Sequence, residues 1–382
     1  MSVLAVLLIG AAISYAYYSK NPRQGQGISS KPVLSPAQCL AKLPIGFLTG
    51  QVLMVGLDAA DMPSQAPLFA NSSIGGAIIM TAPNDINNNS IVRFKKTAAS
   101  MGVPLLIATD EEGGSVQRFK VLGTLPSPQD VADTMTPAQA QQMITGHGKK
   151  LKAIGIDMVL GPLADVAPAD GTSPLGDRVF SSDPSVVKNF MLAYIKGWQA
   201  AGLLPTIKHF PGLGSATGNT DFTPATTPPL SELKTRDFIP YQGAISDTST
   251  AVMIGNQTVP GWFTEPASLS PIPHQYLRKT LGYNDNLIVT DSLSATAIIA
   301  TTTRAQAVVK AITAGNDMAL IVESPDASFA QNKALIASLQ SALQQAVKDN
   351  IITKKQLETS VLRKLNAQHI NACSIKDVST KS

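Results

Sequence analysis

Charge is scarce in this sequence. Only 15% of the 382 residues are Asp, Glu, Lys or Arg, and the net charge of +4 is spread without a long block of Lys or Arg. The electrostatic footprint of a nucleic-acid-binding protein is therefore missing, although so thinly basic a surface tolerates an anionic polymer. Histidine is scarcer still, at four residues with no H-x-H or H-E-x-x-H cluster, so no metal site is expected. No G-x-G-x-x-G follows the first apolar run of the body of the chain, which removes the phosphate-binding signature of a doubly wound dinucleotide fold. There are just two cysteines, Cys39 and Cys373. A bridge between them would tie the two ends of one compact domain together and suit an exported protein; two unpaired thiols are the alternative. Closing so long a loop stabilises by roughly 4 to 5 kcal/mol in the chain-entropy account.

What the chain has is apolar residues, 44% of the total, enough for one large core. The first apolar stretch stands apart. Val3 to Tyr18 is almost unbroken and is followed by Lys20 and Arg23, so residues 1–19 are expected to be a signal peptide or a membrane anchor. Residues 20–36, rich in Gly, Gln, Ser, Lys and Pro, read as a flexible linker. The expected location is exported or membrane-tethered, with the N-terminal segment in contact with the membrane.

Residues 37–376 alternate between short apolar runs and longer amphipathic ones. The candidate strands are Gln51 to Leu57, Ile74 to Met80, Pro104 to Asp110, Asp157 to Val166, Leu203 to His209, Ala251 to Asn256, Leu287 to Asp291 and Asp317 to Val322. Helical period fills stretches between and after them: Pro137 to Ala153, Ser185 to Ala201, Ser231 to Ser246, Thr303 to Ala314, Ser328 to Lys348 and Thr353 to His369. Strands alternating with helices in this number predict an α/β fold of the (β/α)8 TIM-barrel class, whose chemistry sits at the C-terminal ends of the strands.

Polar groups do gather there. Thr206 to Pro229 begins as a strand and ends in Lys208, His209 and a Gly-rich loop carrying Asp221. The third strand ends in Asp110, followed by Glu111, Glu112, Gln117 and Arg118; the fourth runs into Asp165 and a loop with Asp177, Arg178 and Asp183. The sixth ends in Asn256 and the seventh in Asp291. A charge-poor chain has put much of its charge where a barrel keeps an active site. Asp177 and Asp183 read more simply as loop caps or ion-pair partners.

The strings ATDEEGGSVQRF (Ala108 to Phe119), GIDMVLGPLADV (Gly155 to Val166), DRVFSSDP (Asp177 to Pro184), KHFPGLG (Lys208 to Gly214), IVTDSLSATAI (Ile288 to Ile298) and AGNDMAL (Ala314 to Leu320) resemble those of family 3 glycoside hydrolases. The likeness is to single-domain bacterial β-N-acetylglucosaminidases that act on cell-wall fragments. The resemblance implies that Asp291 is the nucleophile of a retaining glycosidase, forming a covalent glycosyl-aspartate. It also implies that Asp110, Arg118, Arg178, Lys208 and His209 bind sugar, through charge-assisted hydrogen bonds to hydroxyls. Such chemistry needs no cofactor. The implied partner is a glycan, such as a peptidoglycan fragment or another β-N-acetylglucosaminide.

One motif departs from the family. Where K-H-F-P-G-H-G and then D-S-H are usual, this chain has Leu213 for the second His and Asn219-Thr220-Asp221 for the triplet. The His that serves as general acid/base is missing. His147, His274 and His369 fall elsewhere and His209 matches a sugar-binding position. Either Asp221 serves directly, desolvated against the sugar and facing Asp291 so that its pKa is raised, or the chain is a catalytically impaired, tethered carbohydrate-binding protein. A metal-dependent hydrolase using His209, Asp110 and Asp291 is the remaining alternative.

Overall fold

In the computed structural model, which describes residues 34–83, 89–243, 248–322 and 329–376, the apolar runs are parallel strands. They are β1 (Leu53–Leu57), β2 (Gly76–Ile79), β3 (Leu106–Thr109), β4 (Met158–Val159), β5 (Leu204–Phe210), β6 (Ala251–Ile254), β7 (Ile288–Thr290) and β8 (Ala319–Ile321). β8 pairs with β1, and each later strand pairs with the next up to β7. Val289 of β7 bridges Met318 at the start of β8 in parallel, which closes the sheet. The fold is the (β/α)8 barrel expected. The apolar segment 1–19 and all but the last residues of the linker lie outside the described residues; among the described residues no helix is long and apolar enough to cross a membrane.

Alternation along each strand sorts side chains to two sides. Met54, Ile78, Leu106, Met158, Leu204, Met253, Val289 and Leu320 form one buried cluster, the inside of the barrel. Their strand neighbours Val55, Ala77, Ile79, Ile107, Val159, Ala319 and Ile321 belong to a larger cluster shared with the surrounding helices. A strand buried on both faces is therefore apolar at nearly every position, and a charged residue marks its end.

The fourth strand is shorter than the run Asp157 to Val166. Pro162 has no N–H to give to a ladder, so regular pairing stops at Val159. The chain nonetheless stays beside β5: Thr206 N donates to Gly161 O at 2.9 Å, Lys208 N to Pro162 O at 3.2 Å and Ala164 N to Lys208 O at 2.6 Å. That irregular path carries Asp165 to the barrel mouth.

Two of the longer helices start where their caps predict. Thr136 and Gln139 form a reciprocal capping box at Pro137–Ile154, and Thr303 and Gln306 do the same at Arg304–Ala314. Of the helix expected over Ser231 to Ser246, the described residues show Leu230–Thr235 followed by turns up to Gly243, and 244–246 lie outside the described residues. Pro240 lacks a helical donor and disfavours helix in the residue before it, so the period could not be continued. Helices Phe329–Lys348 and Lys354–Ala367 complete the outer layer. Cys39, on the short helix Pro36–Leu40, is bridged to Cys373 across a separation of 334 residues, with a Cα–Cα distance of 5.1 Å.

Candidate active site

The strand that ends in Lys208 and His209 sets the centre. Lys208 is buried, and its Nζ donates to Asp110 Oδ1 at 2.9 Å and to Glu112 Oε1 at 2.5 Å. Asp110 directly follows β3. Glu112 lies on a tight hairpin, Glu111–Gly113 against Val116–Gln117, turned by Gly113 and Gly114 at φ of 105° and 56°. A side chain at Gly113 would sit 2.2 Å from Pro126 O, so the glycine is required twice over.

Alternation on that hairpin gives its two glutamates different work. Glu111 faces away, accepting from Gln117 Nε2, from the amides of Arg118 and Phe119, and lying 2.8 Å from His147 Nε2. Glu112 faces the mouth, where it also accepts from Arg178 Nε at 2.8 Å and Nη2 at 3.0 Å. Arg118 adds a looser contact to Asp110 Oδ2 at 3.5 Å, and its buried Nε has no protein acceptor.

His209 is fixed from behind. Asp165, fully buried, accepts from its backbone N–H at 3.1 Å, lies 2.7 Å from its Nδ1, and accepts from Leu213 N at 2.6 Å through the other oxygen. Nδ1 is thereby occupied, which leaves Nε2 for a ligand. The loop can lie this close to the fourth strand because residue 214 is glycine: a Cβ there would meet Val166 O at 2.4 Å.

Asp291 follows β7, and the amide of Ser292 donates to its Oδ1 at 2.7 Å. Asn256, at the end of β6, holds this turn through Nδ2 to Ser292 O at 2.8 Å. Asp221 is exposed on the loop after β5. Its carbonyl accepts from Thr296 N at 3.2 Å, and that of Thr220 from Ala297 N at 3.1 Å, so the loop is joined to the segment that follows Asp291.

The charges are unequal in their surroundings. Burial alone would raise Asp110, but Lys208 and Arg118 beside it hold its carboxyl below the usual range. Glu112 is likewise lowered, with Lys208 and Arg178 overcoming its burial, and Lys208 is raised against its own burial by Asp110 and Glu112. Asp291 goes the other way. Burial pushes its carboxyl up, the Asp221 charge adds to that, and His209, the Ser292 amide and Lys208 offset it only in part.

One cavity of about 130 Å³ is lined by Asp110, Arg118, Arg178, Lys208, His209, Asp221 and Asp291, over a floor of Ile78, Leu160, Met253 and Leu320 from the barrel interior. Wider hollows among the described residues, such as one of about 500 Å³ beside Gly123, Gln142 and His147, are lined by fewer charged groups. Leu213 and Asn219, from the departed motif, also line the mouth. His147, His274 and His369 do not, so no second histidine replaces the missing one. Asp221 is exposed in the free protein, so the desolvation expected of it against sugar is left to a ligand. Asp183 caps the helix Pro184–Ala200 through Ser185 N at 2.7 Å, and Asp177 accepts from Ser115. Among the described residues no three His, Cys, Asp or Glu side chains are placed to hold a metal.

Glu112 and Asp165, which the sequence places at strand ends without a role, hold the site together. Period-two alternation from Asp110 would have pointed to Glu112, on the same face. No comparable pattern assigned Asp165 its place under His209, which depends on the irregular path after Pro162.

Comparison with known proteins agrees with this fold. The family profile described as "Glycosyl hydrolase family 3 N terminal domain" matches residues 49–367. A beta-hexosaminidase of Mycobacterium tuberculosis, LpqI, is 32% identical, over 94% of this chain and 95% of its own length. Among solved structures, a family 3 glycosyl hydrolase of Mycobacterium smegmatis superposes with a TM-score of 0.76 at 32% identity, over 86% of this chain and 98% of the other. A beta-N-acetylhexosaminidase of Beutenbergia cavernae gives 0.74 at 28% identity, over 86% and 100%. A barrel with this charged mouth, matched along nearly its whole length, is one of a family of glycosidases: the chain belongs to glycosyl hydrolase family 3.

Proposed function

We propose that this protein removes β-linked N-acetylglucosamine, or a related hexose, from cell-wall-type glycans with retained configuration. The observation that carries the proposal is that Asp291 and Asp221 line the same cavity as the cation–carboxylate network. In this reading Asp110, Arg118, Arg178, Lys208 and His209 hold the hydroxyls of one sugar ring. The Asp291 carboxylate attacks the anomeric carbon as the glycosidic C–O bond breaks, and Asp221 gives its proton to the departing oxygen. Water, deprotonated by Asp221, then attacks the same carbon and releases Asp291. Substrate closing over Asp221 supplies the desolvation that the free protein lacks. The names of the relatives support the amino sugar.

A second reading is favoured by the exposure of Asp221 and by Leu213: the chain binds sugar and no longer protonates a leaving group. Hydrolysis of aryl β-N-acetylglucosaminides by the full chain separates the two. Turnover of good and poor leaving groups, abolished in Asp291→Ala and impaired in Asp221→Asn chiefly for the poor one, supports catalysis. Absence of turnover with sugar binding retained supports the binding protein. Export or tethering is part of the proposal, and the Cys39–Cys373 bridge, which an oxidising compartment favours, supports it.

A further inference from the structure

The 217–226 loop carries an aromatic ring into solvent. Phe222 is 79% exposed, more than any other large apolar side chain among the described residues. A lone exposed apolar residue needs no explanation by itself. Here the position gives one, because Phe222 directly follows Asp221, the last residue of its loop to line the cavity.

The loop that carries it is pinned. Thr217 N donates to Thr226 O at 2.9 Å and Thr226 N to Thr217 Oγ1 at 3.0 Å, closing the base. The amides of Phe222 and Thr223 both donate to Asn219 O at 3.1 Å. Through Thr220 and Asp221 the loop is tied to the segment after Asp291. The ring is thus carried by hydrogen-bonded backbone, one residue beyond the cavity lining.

The cavity itself, about 130 Å³, is well below the roughly 300–1,000 Å³ of sites that enclose drug-sized ligands. It suits a single ring and leaves the rest of a glycan outside. Where that remainder goes follows from the acid. A group that protonates the glycosidic oxygen stands on the leaving-group side of the sugar, and Asp221 has that role in the function proposed above, on which this inference rests. We propose that Phe222 is an aromatic platform for the sugar on the leaving-group side, receiving the C–H face of a pyranose ring. The contact is apolar and without hydrogen-bond direction, so it favours any β-linked sugar in that position over a leaving group with no ring.

The test compares kcat/KM of wild type, Phe222→Ala and Phe222→Trp, as full chains, on a β-linked N-acetylglucosamine disaccharide and on N-acetyl-β-glucosaminyl fluoride, whose leaving group is one atom. The expected result is a loss of about tenfold in Phe222→Ala on the disaccharide, restored by Phe222→Trp, with the fluoride affected no more than about twofold. Equal losses on both substrates, or none on the disaccharide, overturn the platform. If wild type hydrolyses neither, the glycosidase reading fails, and equilibrium binding decides the platform. Tighter binding of disaccharide than of monosaccharide, with the difference lost in Phe222→Ala, supports it; no such difference sinks it.

Discussion

Glu112 grips Arg178 by two parallel hydrogen bonds, 2.8 and 3.0 Å, and offers the same carboxylate to Lys208. Two cations at the barrel mouth therefore share one buried anion, Lys208 having Asp110 as well, and both face the cavity.

Glu112→Gln keeps the shape of that contact and removes its charge. Leaving buried cations short of a partner is expected to destabilise the fold by about 3–5 kcal/mol and to weaken sugar binding, with Asp291 left in place. Thermal melts with and without N-acetylglucosamine check both effects. An unchanged melt would mean that Asp110 alone neutralises Lys208 and Arg178.

Much of this arrangement could be read before any coordinates. Barrel strands buried on both faces are continuous apolar runs, so Asp110, His209 and Asp291 announced strand ends simply by interrupting them. Irregular backbone hid the rest. Pro162 ended the fourth strand early and let Asp165 turn under His209, and Pro240 cut short a helix whose period looked sound. Asp221 is exposed in the free protein, so the desolvation expected of it against sugar would have to come from a bound ligand.

The Cys39–Cys373 bridge joins the first described helix to the last described turn. Reduction, or Cys39→Ser with Cys373→Ser, is expected to lower stability by about 2–4 kcal/mol. Denaturant titration with and without reductant measures it, and sugar binding should be unchanged because the bridge is not part of the cavity lining.

Lys364 is fully buried and donates to Gln51 Oε1 at 2.7 Å. Burial pushes its ammonium down to about 7, with Asp157 opposing weakly. Below that value folded and unfolded chains both hold the proton, and the fold bears the full cost of a buried charge. As pH rises towards the ordinary lysine value of about 10.4 the unfolded chain keeps a proton that the folded one has lost, so stability increases. Lys364→Met should therefore stabilise most below pH 7, on the order of a few kcal/mol more than at pH 10. Melting temperatures across that range test it; a gain independent of pH would show that the folded lysine keeps its proton up to the ordinary lysine value.

Asp291 presents the converse case. Its carboxyl is pushed up by burial and by Asp221, against the pull of His209 and Lys208. A carboxyl raised in the fold keeps its proton to higher pH than in the unfolded chain, so its ionisation costs stability once the pH has passed the folded value, and costs nothing below the unfolded one. Asp291→Asn is expected to raise the melting temperature at pH 7 and to lose that gain near pH 3. Under the mechanism proposed above, the same shift governs the rate. Only the ionised form attacks, so kcat/KM should fall with decreasing pH along a limb lying above the ordinary carboxylate range of about 4. Activity in Asp291→Asn should drop by more than about a thousandfold. A more stable and inactive Asp291→Asn identifies the carboxylate as one retained for chemistry at the expense of the fold; a less stable one would assign Asp291 to structure instead.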